Sequence, residues 1–369
     1  MRKIFITIVC LLTMPLCLLA QNNTNDKTDF TDMDFLINSY DQSSEEFYLD
    51  IDALNKKERE KISALIDNEL KKSDVDKDFY GAKTIVAFSL GNMTQAYSNV
   101  ITALDNEKEN AFLYYILGTI KLQAKEYQTS LQAYNSAIKY GFDYALTYKQ
   151  RGKVKGYMDD FKGAIADYNS VIAKDSTDYE AYYLRGIAKN YLKDYNGAAI
   201  DLTKTITLND TSASAYNYRG VVYTNVEDYG SALKDFEKAL KIDNNHPYTY
   251  NNIGLIKQKL GDNKGAIEFF SKAISLDAFH ADAYFNRGKS KYELEEYSGA
   301  KEDISSSIQL NYSNPEAHYY LALCLIKQKG KKSNKELEDS ICNELNVAAG
   351  MNHKEAKNLL NALCSKGEK

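Results

Sequence analysis

The residues of this 369-residue chain that could do chemistry are four histidines, five cysteines and a recurring arginine–aspartate spacing. His246, His280, His318 and His353 form neither HExxH nor a close pair with cysteine, so they offer no zinc-binding pattern. Cys324, Cys342 and Cys364 lie together near the end of the sequence, at spacings that match no metal motif. They read as buried apolar thiols, or as one disulfide, Cys342–Cys364, with a thiol left over. RGKS at Arg287–Ser290 ends like a phosphate loop, but the first glycine of that motif would fall on Ala283. DVDKDF from Asp74 begins like a calcium loop, but Phe79 stands where glycine must turn the chain and Ile85 where the last carboxylate belongs. No GxSxG or other nucleophile–base constellation appears. No catalytic, cofactor-binding or metal-binding residue is assigned, and a non-enzymatic protein without a cofactor is expected.

The arginines carry a different message. Arg151, Arg185, Arg219 and Arg287 are each followed 16 residues later by Asp167, Asp201, Asp235 and Asp303. Where the arginine is replaced, so is the aspartate: Leu117 goes with Ala133 and Ile253 with Phe269. Four copies point to a hydrogen-bonded structural pair. It would join two elements of one unit, or one unit to its neighbour.

The elements that must position these pairs repeat as well. Gly118, Gly152, Gly186, Gly220, Gly254 and Gly288 are spaced by 34 residues. A tyrosine precedes each glycine by four positions, from Tyr114 to Tyr284. Twelve positions after each comes Ser130 or an alanine, and twenty after comes isoleucine or leucine. The pattern resembles the tetratricopeptide repeat, a helix–turn–helix unit of this length. The resemblance runs from Lys77 to about Asn314. Upstream, Tyr80, Gly91, Ala96 and Leu104 keep register while Thr84 replaces the glycine. Downstream, Pro315 opens an eighth unit, with His318 and Ala322 in place of tyrosine and glycine, before GKKSNKELED departs from register. The proline usual at the end of the second helix is absent throughout. The resemblance implies an all-α, right-handed solenoid of about eight units, starting near 77, 111, 145, 179, 213, 247, 281 and 315, with capping helices at both ends. Turns such as MDDF and LKDY put acids at each corner. The repeat glycine is read as a close approach of the two helices of a unit, with Gly186 facing Ala198.

Outside the repeats the chain divides by composition. Arg2 and Lys3 precede an apolar run from Ile4 to Ala20, which reads as a signal peptide over 1–20. Lipoprotein anchoring is disfavoured, because Val9 and Leu16 precede Cys10 and Cys17. Cleavage would remove two cations and no acid, taking the net charge from −5 to −7. With no long basic run, nucleic-acid binding is not expected. With no second long apolar run, neither is a membrane span. Residues 21–33 read as a polar disordered linker, 34–76 as an N-terminal helical cap, 77–348 as the solenoid and 349–369 as a C-terminal capping helix.

In the family, chosen first-helix positions line a concave groove. Carried onto this chain, those positions are Phe112, Tyr115, Lys149, Lys153, Tyr157, Tyr183, Asn190, Tyr191, Asn217, Thr224, Asn225, Tyr248, Asn251, Gln258, Phe285, Lys289 and Tyr292. The lysine–asparagine clamp that some relatives use for chaperone tails is absent, since Lys153 and Leu184 occupy two of its positions. The expectation is an exported scaffold or adaptor, periplasmic or secreted, that holds a protein or peptide segment in the groove. A subunit of an envelope complex that docks through its convex face and a carbohydrate-binding solenoid are the alternatives, and the oligomeric state stays open.

Overall fold

A computed structural model describes residues 91–310, 314–328 and 335–364, together with Thr84, Ala87 and Phe88. The signal peptide, the polar linker, the N-terminal cap and Tyr80 fall outside the described residues. The chain divides into two compact units, one reaching Leu192 and the other starting at Lys193.

The first unit contains α1 (Met93–Asn106), α2 (Ala111–Gln123), α3 (Tyr127–Lys139), α4 (Ala145–Tyr157), α5 (Phe161–Lys174) and α6 (Tyr179–Tyr191). The second begins with α7 (Tyr195–Leu208), α8 (Ala213–Asn225), α9 (Tyr229–Ile242), α10 (Pro247–Lys259) and α11 (Asn263–Leu276). It continues with α12 (Ala281–Glu293), α13 (Tyr297–Gln309), α14 (Pro315–Gln328), α15 (Lys335–Gly350) and α16 (Lys354–Cys364). All described elements are helices, and consecutive helices pack as antiparallel pairs, so the fold class is an all-α solenoid of helix–turn–helix repeats.

The short turns have a local cause. After α4, the Asp160 N–H donates to the Lys155 carbonyl at 2.9 Å, while Asp159 adopts a left-handed φ of 59°. This is a Schellman ending, which satisfies a carbonyl that the helix leaves unpaired. The Asp160 carboxylate then accepts from the Gly163 N–H at 2.9 Å and caps α5. One residue therefore ends one helix and starts the next. Asp228 and Asp262 repeat the arrangement, capping Ser231 and Gly265 at 3.0 and 2.9 Å.

Packing explains the glycines, and corrects one expectation. A Cβ on Gly152 would lie 2.6 Å from the Tyr168 ring, and one on Gly220 the same distance from the Phe236 ring. Gly118, Gly254 and Gly288 stand in the same relation to Tyr134, Phe270 and Ile304. The glycine thus makes room for a large buried side chain sixteen residues on, not chiefly for the small residue twelve on. The twelfth position still touches the glycine backbone: the Ser130 hydroxyl donates to the Gly118 carbonyl at 2.7 Å. Gly186 and Ala198 belong to different units.

Candidate interaction face and its structural pairs

The arginine pairs set the frame. Arg219 Nε and Nη2 donate to Asp235 at 2.7 and 2.8 Å, a two-pronged contact that holds the two helices of a repeat together. Arg287 and Asp303 pair at 2.8 and 2.7 Å, and Arg151 and Asp167 at 2.9 and 2.5 Å. The remaining Nη1 reaches back sixteen residues to the preceding repeat: to Asn135 from Arg151, Asn169 from Arg185, Thr203 from Arg219 and Ser271 from Arg287. The arginine therefore joins elements both within a unit and between neighbours. Arg185 lies in the first unit and buried Asp201 in the second. In the two repeats without the pair, Lys121 and Lys257 turn to the corner acids Glu126 and Asp262, at 2.9 and 2.8 Å.

Within each unit the first helices of successive repeats touch: α2, α4 and α6 in one, and α8, α10, α12 and α14 in the other. No second helices approach one another as closely among the described residues. In a bent stack the closely spaced layer is the inner one, so the first helices present the inner face of each unit.

In the first unit, Tyr115 is a core residue, only 8% exposed, and lies against Tyr134 and Phe142 at 5.8 and 5.0 Å. Half-buried Phe112 packs on Phe142 at 5.6 Å. These two rings pack into the buried core with Phe142 of their own repeat, so Tyr115 is not a groove residue. The lysines are neutralised from the next repeat: Lys149 meets Asp178 at 2.8 Å and Glu180 at 3.2 Å, and Lys153 meets Glu180 at 2.7 Å. Burial opposes the Lys149 charge, yet the two carboxylates raise its pKa above the ordinary lysine value. Glu180 is shifted the other way: burial works against its charge, but the two lysines hold it below the usual carboxylate range. Tyr157 and Tyr191 are 62% and 61% exposed. Each stacks on an aromatic of the preceding repeat, Tyr157 on Tyr127 at 5.2 Å and Tyr191 on Phe161 at 4.6 Å. Tyr183 and Asn190 are half-buried.

In the second unit the amides form a network. Asn217 Oδ1 accepts from the Thr249 hydroxyl at 3.0 Å and from Asn252 Nδ2 at 3.2 Å. One repeat further on, Asn251 Oδ1 accepts from Asn286 Nδ2 at 3.1 Å. Both carbonyl ends are thus occupied. Both residues are buried, each 6% exposed, and their NH2 ends have no partner among the described residues. Gln258 donates to the Ser290 hydroxyl at 2.8 Å and the Asn286 carbonyl at 3.1 Å, so it ties α10 to α12. Thr224 turns back on its own helix, donating to the Gly220 carbonyl at 2.9 Å, while Asn225 is exposed. Tyr248, 56% exposed, stands between His246 and His280, at 5.9 and 4.8 Å. Burial lowers the His280 pKa, which leaves that imidazole neutral near pH 7. Phe285 is 3% exposed and packs edge-on to Tyr320, so it too belongs to the core rather than to a groove. Lys289 pairs with Glu316 at 2.6 Å, and Tyr292 lies edge-on to Tyr297 and Tyr320 at 5.4 and 5.3 Å.

Sequence reasoning missed Thr249, Asn252 and Asn286, which orient Asn217 and Asn251. Their signal was present, since Asn252 and Asn286 recur at the 34-residue interval. It also missed Asp178, Glu180 and Glu316, the acids that neutralise the lysines.

Profiles of the tetratricopeptide repeat match residues 213–246, 247–280 and 285–334. No curated protein matches the sequence. Among solved structures, a tetratricopeptide repeat protein from Parabacteroides merdae ATCC 43184 is 21% identical with a TM-score of 0.58, and the alignment covers 68% of this chain and 98% of that one. The Cut9–Hcn1 hetero-tetramer of the APC/C matches with 16% identity and a TM-score of 0.58, over 86% of this chain and 62% of the other. Both likenesses are likenesses of fold. Together with the repeat matches and the helix pairs, they make this chain a tetratricopeptide repeat protein.

Proposed function

We propose that the chain is a non-enzymatic interaction scaffold whose first-helix face holds an extended segment of a partner protein. The observation that carries this reading is the pair Asn217 and Asn251. Two amides one repeat apart, each 6% exposed, have their carbonyl ends fixed and their NH2 ends unpaired among the described residues, and successive carbonyls of an extended backbone would supply the missing acceptors. Because these donors are already oriented, little ordering is required on binding. The lysine charges on the face are balanced by Asp178, Glu180 and Glu316, so the segment it favours is neutral rather than an acidic tail. A photo-crosslinking residue in place of exposed Tyr248 should capture one discrete partner in intact cells. The double change Asn217→Ala and Asn251→Ala should abolish that capture while the helical content stays intact. Undiminished capture would reject the reading.

A second reading rests on Tyr157 and Tyr191, whose outer faces are open while their inner faces are stacked. Such platforms also suit sugar rings. Retention on glycan beads that is lost with Tyr191→Ala would favour it. Export supports either reading. Its supports are the signal-like residues 1–20 and a disulfide between Cys342 and Cys364, a bond that persists in oxidising compartments. Mass spectrometry of the mature protein should find its N-terminus after Ala20, and an uncleaved chain would count against export.

A further inference from the structure

We propose that the Cys342–Cys364 disulfide is a reversible latch that holds α16 over the apolar face of α15. This proposal is independent of the interaction face.

The helix α16 is weakly held by packing. It has 11 residues, a length at which an isolated helix is marginal in water. Its only fully buried side chain is Ala356, and Leu359 and Leu360 are half-buried beside it. Leu363 is 49% exposed, so the last turn contributes little apolar contact. Beneath α16 lies a cluster with Ile341, Leu345 and Ala348 of α15 and Ala322 of α14, all of them buried.

Two clamps compensate, one at each end. At the start, His353 Nδ1 accepts from the Ala356 N–H at 3.2 Å, and its ring stacks on Tyr319 at 4.5 Å. At the far end, Cys364 is bonded to Cys342, across a sequence separation of 22 residues. That bond is the main restraint on the last turn.

The chemistry is self-contained apart from the reductant. A dithiol reductant opens the bond in two exchange steps: one thiolate attacks and forms a mixed disulfide, and its second thiol then releases the protein. Cys342 and Cys364 end as thiols and the reductant as a disulfide, with two electrons transferred. The third cysteine does not compete. Cys324 is fully buried in a different cluster, with Phe285 and Ile304, and burial pushes its thiol up to about 12.

Hydrogen–deuterium exchange on the intact protein tests the latch. Dithiothreitol should speed exchange of the Leu359–Cys364 amides by about 300-fold, the loop-closure effect for this separation. Oxidised glutathione should restore protection. Protection of α8 and α10 should not change in either step. Cys342→Ser should behave as the reduced protein without dithiothreitol, and Cys324→Ser as the wild type. If the serine variant does not fold, reduction of the wild type supplies the same comparison. Unchanged protection of α16 on reduction would overturn the proposal. So would loss of protection across all helices, which would make the bond a general staple.

Discussion

Arg219 uses all three guanidinium nitrogens: two on Asp235 and one on Thr203 of the preceding repeat. Asp235 is 6% exposed, so its charge is tolerable only while the arginine is there. The next repeat solves the same position without charge, with Ile253 buried in a cluster that includes Phe269. Arg219→Leu alone should therefore destabilise the protein by about 3 kcal/mol, because it strands the carboxylate. Arg219→Ile combined with Asp235→Phe, the neighbour's own pair, should cost much less. Thermal or urea unfolding of the two variants measures the difference, and equal losses would reject the pairing. The aspartate partner was legible in the sequence because arginine and aspartate vanish together. The third contact was not, because Asn135, Asn169, Thr203 and Ser271 share only an acceptor oxygen and no residue type.

At the scale of the helix pair, the turn has one strained position. Lys125, Asp159, Glu227 and Glu295 all have φ near 60° and occupy equivalent places, as does Gly261 at 82°. Only glycine takes this conformation without steric cost. The Schellman hydrogen bonds hold the other residues there: Asp228 N–H to the Tyr223 carbonyl and Glu296 N–H to the Lys291 carbonyl, each at 2.9 Å. Gly261→Ala should thus destabilise by about 1 kcal/mol, and Glu227→Gly should stabilise by somewhat less, since glycine also gains freedom in the unfolded chain. Opposite shifts in melting temperature check this, and shifts of the same sign would contradict it. The helix pairs themselves were legible from the 34-residue period. The partner of the repeat glycine was misread because the position twelve on is uniformly small. The position sixteen on, which the glycine accommodates, varies among Tyr134, Tyr168, Phe236, Phe270 and Ile304.

For the molecule as a whole, each repeat contributes the same kind of contact to its neighbours and little beyond them, so stability should be local. This locality also explains why the candidate face was only partly legible. Position along a first helix indicates which residues can face inward. Whether such a residue is free depends on its surroundings: acids at the start of the next repeat neutralise Lys149, Lys153 and Lys289, Tyr320 of the next repeat packs on Phe285, and rings of its own repeat bury Tyr115. The asparagines are the reverse case, because the next repeat orients them through their carbonyl ends and leaves their NH2 ends unpaired among the described residues. The same logic fixes how damage should spread in the second unit. Arg287 sits on α12, which packs on α10, α11, α13 and α14 and makes no close contact with α8. Arg287→Leu strands Asp303 on α13, beside Lys291 at 2.8 Å. Hydrogen exchange should therefore accelerate in α12 and α13 first and in α11 and α14 next, with α8 unchanged. A uniform acceleration that included α8 would show the second unit opening as one cooperative body, and would remove the premise that its repeats act through nearest neighbours.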